Sequence, residues 1–386
     1  MKIQQAKRMS IFEPSIFSRL SEVTEKRKKD GGSVIDLSLG SPDLPPASFV
    51  RERLSKTSAD SSRYGYTMSG TARFYEAVAR YYKRRDGVEL DPETEILQTM
   101  GSQEGLVHLP LAFCDEGDIV LTTNPAYVAY DVGIRLAGAE PYDMPLLKEH
   151  QFLPQFEAIP EEIAKRAKLM ILNLPGNPVP ATPTKEFFEA AVAFAKKYHI
   201  LILHDAAYSE FYYTDEPFPS FLATEGAKEV GLETNSLSKS FSLAGARIAY
   251  FVGNREAIRI LKELKSNLDY GVFEPIQEAA VSALDRAEEI TVPLREVFKE
   301  RHHVLKEGLE QLGWDVADSE GGMFVWAKYP FELDDEIFAI QAIEKVGVVM
   351  VPGSSFGAEG EGYVRIALVQ PVEKLREAVQ RLTKLK

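Results

Sequence analysis

The sequence predicts an α/β protein: a mostly parallel seven-stranded sheet with helices on both faces, and a smaller α/β domain beyond it. Three observations carry that expectation. Apolar runs alternate with amphipathic helical patterns through the middle of the chain, the order that builds parallel sheets. Most of those runs are continuously apolar, as strands covered on both faces must be. Past them, residues 275–312 read almost wholly as helix, long enough to bridge two domains.

Taken in order, residues 11–30 mix apolar and basic side chains and are expected to form an N-terminal arm ending in a helix. Residues 34–39 read as a short strand, and Gly40-Ser41-Pro42-Asp43-Leu44-Pro45-Pro46 as a rigid turn. After Thr71, the positions Phe74, Ala77, Val78, Tyr81 and Tyr82 mark one face of a helix. The seven strands are expected at residues 95–100, 118–123, 139–144, 168–174, 199–205, 229–234 and 247–252. Among the helices between them, 184–198 places Phe187, Ala190, Ala191, Phe194, Ala195 and Tyr198 on one side. The smaller domain follows with strands at 322–329, 348–351 and 363–368, a helix near 334–346 and a closing helix. The expected division is residues 1–48 as arm and part of the small domain, 49–280 as the large domain, and 281–386 as the small one.

Composition narrows the class. The chain has 386 residues, 45% hydrophobic and 27% charged, the balance of a globular protein larger than one ordinary domain. A net charge of −13 disfavours nucleic acid or an anionic membrane as a partner. The single cysteine, Cys114, excludes an intrachain disulfide and suits a reducing compartment. No apolar segment follows the first ten residues as in a secretion signal, and no run approaches membrane-spanning length, so a cytoplasmic location is expected.

In an open parallel sheet, ligands bind beyond the carboxyl ends of the strands. Lys239 falls there, between two strand-like runs, with no acidic residue within five positions on either side. An amine held among apolar groups loses proton affinity and becomes a nucleophile toward carbonyls. Gly101-Ser102-Gln103 opens a helix and offers backbone N–H groups and a hydroxyl to a phosphate. Tyr127 and Asn177 follow the ends of two further strands, as a stacking ring and an amide on a tight turn. Asp205 ends an apolar strand and needs a partner there, with Tyr208 three residues on. Arg365 lies inside an apolar strand, where an arginine is costly unless it meets an anion, and Arg247 follows Lys239 closely. A lysine nucleophile, a buried carboxylate, a phosphate site, a stacking aromatic and a carboxylate-binding arginine suit a pyridoxal phosphate enzyme acting on amino acids.

With these motifs the chain resembles the fold-type I pyridoxal-phosphate aminotransferases of classes I and II, the aspartate aminotransferase superfamily, along essentially its whole length. Gly40-x-Pro42-Asp43, Pro125-x-Tyr127, Asn177-Pro178, Asp205-x-x-Tyr208, Ser236-x-Ser238-Lys239, Gly322-Met323-Phe324 and Pro352-Gly353-x-x-Phe356-Gly357 carry the likeness, with Arg247 and Arg365. The resemblance implies that Lys239 bears the cofactor and moves the substrate's α-proton. It implies that Asp205 pairs with the pyridinium nitrogen, that Tyr208 and Asn177 bond the ring 3-oxygen, and that Tyr127 stacks on the ring. Gly101, Ser102, Gln103, Ser236, Ser238 and Arg247 would cradle the phosphate. Arg365, Asn177 and the backbone of Gly40 would take the substrate carboxylate. A homodimer with shared sites is implied, Tyr64 (favoured over Tyr66) reaching the neighbour's phosphate.

The implied reaction is ping-pong transfer of the amino group of an L-amino acid to a 2-oxo acid such as 2-oxoglutarate or pyruvate. Two departures bear on it. Asn177-Pro178-Val179-Pro180 replaces the usual Asn-Pro-Thr-Gly, and residues 266–277 hold no arginine for a distal carboxylate, which leaves aromatic, alanine-like and diaminopimelate-type donors open. The alternatives are a C–S β-lyase on the same fold and a cofactor-binding regulator. No Gly-x-Gly-x-x-Gly follows a strand, which disfavours a nicotinamide enzyme. The six histidines lack metal-ligand spacing, so no metal is expected. The pair His302-His303 reads as a solvated helix face, and His108 and His204 as neighbours of the site.

Overall fold

The computed structural model describes residues 3–12 and 16–385. Its main sheet runs in the order Ile96–Thr99, Ala249–Gly253, Gly231–Ser236, Leu201–Asp205, Ala167–Asn173, Ile119–Asn124, Glu140–Pro145. Only Ala249–Gly253 opposes its neighbours; the remaining adjacent pairs are parallel. All seven expected strands are present, shifted by a residue or two at their ends. Alternate residues explain their apolar character. Met170, Ile202 and Val252 enter the core on one face, while Leu169, Leu203 and Phe251 enter the core on the other.

The helices follow their periodicity. Thr71 caps Ala72–Asp86 by accepting the Phe74 amide at 3.3 Å, and all five expected face residues are buried. Thr184 caps Lys185–Tyr198 in the same way. Its buried stripe centres on Phe188, Ala191, Val192 and Ala195, however; Ala190 is exposed, and Phe187, Phe194 and Tyr198 form a half-buried flank. The expected face is thus rotated by about one residue, because the aromatic flank packs on Phe156 instead of the sheet.

A second core is built by the antiparallel sheet Val351–Pro352, Tyr363–Ala367, Phe324–Lys328, Asp315–Val316 with the helices Ala287–Gln311 and Val372–Leu382. The strand expected at 348–351 is two short ones: Val348–Val349 pairs in parallel with Ile35–Asp36, and Val351–Pro352 joins the larger sheet. The arm helix spans Ile16–Lys29; residues 13–15 lie outside those described. The long helical stretch breaks at Arg286. The helix Glu274–Asp285 runs unbroken across the division expected at residue 280 and packs in the large core as far as Leu284. His302 is buried against Tyr213, ring centroids 5.1 Å apart, and burial drops its pKa to about 4. The solvated-face reading therefore holds for His303 and fails for His302, which points inward at the helix's 3.6-residue period. No described helix is long and apolar enough to cross a membrane.

Candidate active site

The ends of the parallel strands open on a cavity of 410 Å³ between the two cores. Each expected site residue except Gly101 and Tyr64 lines it. Lys239 stands in a one-turn helix that begins where Gly231–Ser236 ends. Its Nζ donates to the Gly40 carbonyl. Burial, with Arg365 and Arg247 nearby, lowers its pKa from 10.5 to about 8, against the pull of Asp205.

Asp205, 4% exposed, ends its strand on the cavity floor. Tyr130 Oη donates to its Oδ2 at 2.8 Å and the Ala207 amide to its Oδ1 at 3.2 Å. Burial still pushes the carboxyl up, outweighing these donors and the nearby Lys239. A cation at the cavity floor would supply what it lacks. Asn173 fixes the same corner, donating to the Asp205 carbonyl at 2.7 Å and accepting the Asn177 amide at 2.8 Å. Behind it, His204 bridges Glu233 at 2.9 Å and the Leu174 carbonyl at 3.0 Å. Tyr208 is buried edge-on to Phe324, centroids 5.4 Å apart, and burial raises its hydroxyl well above the usual range.

Arg365 is a buried charge on a strand of the smaller sheet. Val364 and Ile366 on its strand turn into the small core, so alternation sends Arg365 the other way, into the cavity. It is 3% exposed, and burial lowers its pKa to about 10. Nη1 donates to Asn177 Oδ1 at 2.7 Å and Nη2 to the Ser38 carbonyl, while Nε has no hydrogen-bond partner among the described residues. Among the described residues no carboxylate forms an ion pair with it. A buried guanidinium with a free donor is a site for an anion.

At the opposite wall Gly101 adopts φ +76°, and a Cβ there would lie 2.2 Å from Arg247 Nη2. The missing side chain leaves room for that guanidinium beside the amides that open the Ser102–Phe113 helix. Arg247 itself holds φ +53°, an uncommon conformation for a residue with a side chain, and anchors Nη1 on the Ala244 carbonyl at 2.9 Å. Ser236 and Ser238 complete this wall. Hydroxyls, helix amides and an arginine at one end, an amine in the middle and a carboxyl on the floor form a donor set that fits a phosphorylated pyridine aldehyde. Tyr127 lies beside it, its hydroxyl 3.3 Å from Gln103 Oε1. Tyr64 and Tyr66 lie elsewhere, 64% and 89% exposed, edge-on to Phe273 and Tyr270.

The model for aminotransferases of class I and II matches residues 32–382. This chain belongs to that family. Aminotransferases of these classes use pyridoxal phosphate, and this one transfers an amino group from an amino acid to a 2-oxo acid. The LL-diaminopimelate aminotransferase of Aquifex aeolicus is 40% identical over 380 residues, covering 98% of each chain. Among solved structures, apo-BacF from Bacillus subtilis superposes with a TM-score of 0.95 at 38% identity, covering 100% of this chain and 98% of that one. A Thermus thermophilus aspartate aminotransferase mutant superposes with a TM-score of 0.93 at 27% identity, covering both chains fully. Nothing in these likenesses supports the β-lyase alternative.

The aminotransferase site also uses residues that sequence reading passes over. Tyr130 and Asn173 hold Asp205, and Ser38 holds Arg365. Asn173 closes its strand as Asp205 does, so the rule that ligands meet strand carboxyl ends would have flagged it. Tyr130 carries no such signal, because its reach to Asp205 depends on how the helix Ala129–Leu136 packs. Glu104, His108 and Asp269 also gather closely enough to hold a cation, but the Lys265 ammonium already donates to both carboxylates.

Proposed function

We propose that this aminotransferase takes LL-diaminopimelate, or a close relative of it, as amino donor and 2-oxoglutarate or pyruvate as acceptor. The donor is suggested by relatives of about 40% identity that share the full chain length and carry that activity in their names. The observation that carries the general reading is Arg365, a buried guanidinium without an acid partner among the described residues, across one cavity from the Lys239 amine.

When bound, pyridoxal phosphate supplies an electron sink for the substrate's α-carbon. The chain's residues do the rest. Ser102, Ser236, Ser238, Arg247 and the amides after Gly101 would hold the phosphate, with Gln103 at the rim. Asp205 would keep a proton on the ring nitrogen, and Tyr127 would cover the ring face. Tyr208 and Asn177 would hold the ring 3-oxygen, Asn177 through Nδ2, since its Oδ1 is engaged by Arg365. Arg365 with the Gly40 backbone holds the α-carboxylate, and Lys239, with its lowered proton affinity, takes the α-proton. The low exposure of Asp205 and Arg365 excludes water from both charges. A homodimer is part of this reading, with Tyr64 completing the neighbour's phosphate site, and so is a cytoplasmic location.

The test is a panel of amino acids added singly to the purified holoenzyme while its visible absorption is followed. LL-diaminopimelate should abolish the visible band, and a 2-oxo acid should restore it. A band shifted only by aspartate or an aromatic amino acid would overturn the donor assignment.

A further inference from the structure

The segment from Leu37 to Asp43 supplies two carbonyls to the site. That of Ser38 accepts from Arg365 Nη2 and that of Gly40 accepts from Lys239 Nζ. Leu39 and Ser41 at its tip are exposed at the cavity mouth, while Ser38 is buried and donates to Asp36 Oδ1 through its amide and hydroxyl, so the segment is fixed before its tip and again beyond it. At one end the Leu37 carbonyl accepts the Ala367 amide at 2.8 Å, two residues from Arg365. At the other, Asp43 meets Arg301 through two parallel bonds, Nη1 to Oδ1 and Nη2 to Oδ2, each 2.7 Å. Arg301 Nη1 also donates to the Leu368 carbonyl at 2.9 Å, just past the strand that carries Arg365. Its side chain is 4% exposed and it stands mid-way along the helix Ala287–Gln311. One guanidinium thus ties the far end of the loop to the strand of Arg365, and a planar fork on a carboxylate fixes orientation as well as distance.

We propose that the Asp43–Arg301 pair is a positioning clasp for the carboxylate subsite, setting the Ser38 and Gly40 carbonyls against Arg365 and Lys239. The proposal rests on the reading that Arg365 takes the substrate's α-carboxylate. Neither clasp residue lines the cavity, so neither touches substrate. Without the clasp the loop carries its carbonyls out of register, and carboxylate binding weakens while the phosphate wall, built on the other core, is unaffected.

The test measures, for the holoenzyme, the dissociation constant of an unreactive α-methyl amino acid from the change in visible absorption, together with kcat, KM and cofactor affinity. Asp43→Asn should raise that constant and both KM values by about tenfold, the scale of one misplaced charge-assisted hydrogen bond. The effect on kcat and on cofactor affinity should be less than about twofold by the same comparison. Because Asp43→Asn leaves Arg301 buried without its counter-ion, the double variant Asp43→Asn/Arg301→Met serves as the control. It should recover thermal stability and keep the weakened binding. Recovery of tight binding in the double variant would overturn the clasp, since the defect would then come from the stranded charge. Equal loss of kcat, KM and cofactor affinity would overturn it too. Arg365→Lys in the same titration separates the two readings: if it leaves the constant unchanged, the carboxylate assignment fails, whatever the clasp variants show.

Discussion

At the residue scale, burial beside Arg365 and Arg247 lowers the pKa of the Lys239 amine from the ordinary 10.5 to about 8. In the cofactor-free protein, labelling of Lys239 by a small amine-reactive reagent, mapped by mass spectrometry, should be half-maximal near pH 8. A midpoint near 10.5 would contradict the burial argument. The sign for stability follows. With the folded value below the unfolded one, the folded chain binds fewer protons between pH 8 and 10.5. Stability of the cofactor-free protein therefore falls as pH drops through that window. Asp205→Asn should lower kcat by roughly 10²–10³-fold, the range for losing one preorganised charge in a site. Steady-state kinetics at saturating donor would show it, and an unchanged rate would remove Asp205 from the mechanism. Most of these residues were legible because each breaks a local rule: a lone lysine among small residues, a carboxylate and an arginine inside apolar strands. Tyr130 and Ser38 break none. They act through a hydroxyl and a backbone carbonyl that become functional only after packing.

At the scale of elements, apolar runs and helical periodicity located every strand of the main sheet, because burial on both faces writes itself into the sequence. Reading the 348–351 run as one strand failed for a definite reason. Val348–Val349 and Val351–Pro352 are equally apolar, and only their different pairing partners, Ile35–Asp36 near the start of the chain and Tyr363–Ala367 just beyond, divide them. His302 was misread because its charged neighbours hid an inward position on a long helix. Caps were more legible. Thr184→Ala removes the acceptor of the Phe187 amide and should cost about 1 kcal/mol. A urea unfolding curve should shift its midpoint without changing slope, and no shift would mean that tertiary packing alone holds that helix end.

On the scale of the whole molecule, exposed aromatic rings are the feature a single chain leaves unexplained. Tyr64, Tyr66, Tyr270 and Phe273 pair edge-on at the surface, and the proposed homodimer would cover them. Sedimentation should therefore give twice the 43.1 kDa of one chain. Mixing Tyr64→Ala with Lys239→Ala subunits should restore activity that neither variant has in full, because a mixed pair assembles an intact site. Failure of that complementation would confine the site to one chain.

The two-sided construction of the cavity has its own consequence for the reaction cycle. The groups assigned to the phosphate stand on the large core, while Arg365, Ser38 and Gly40 come from the small core and the arm. A reaction in two halves must discharge its first product while keeping the amino group it has just taken. With retention assigned to one core and release to the other, a slight parting of the walls would free the visitor and leave the resident docked. The same enzyme molecule could then greet donor and acceptor in turn without surrendering the nitrogen to solvent.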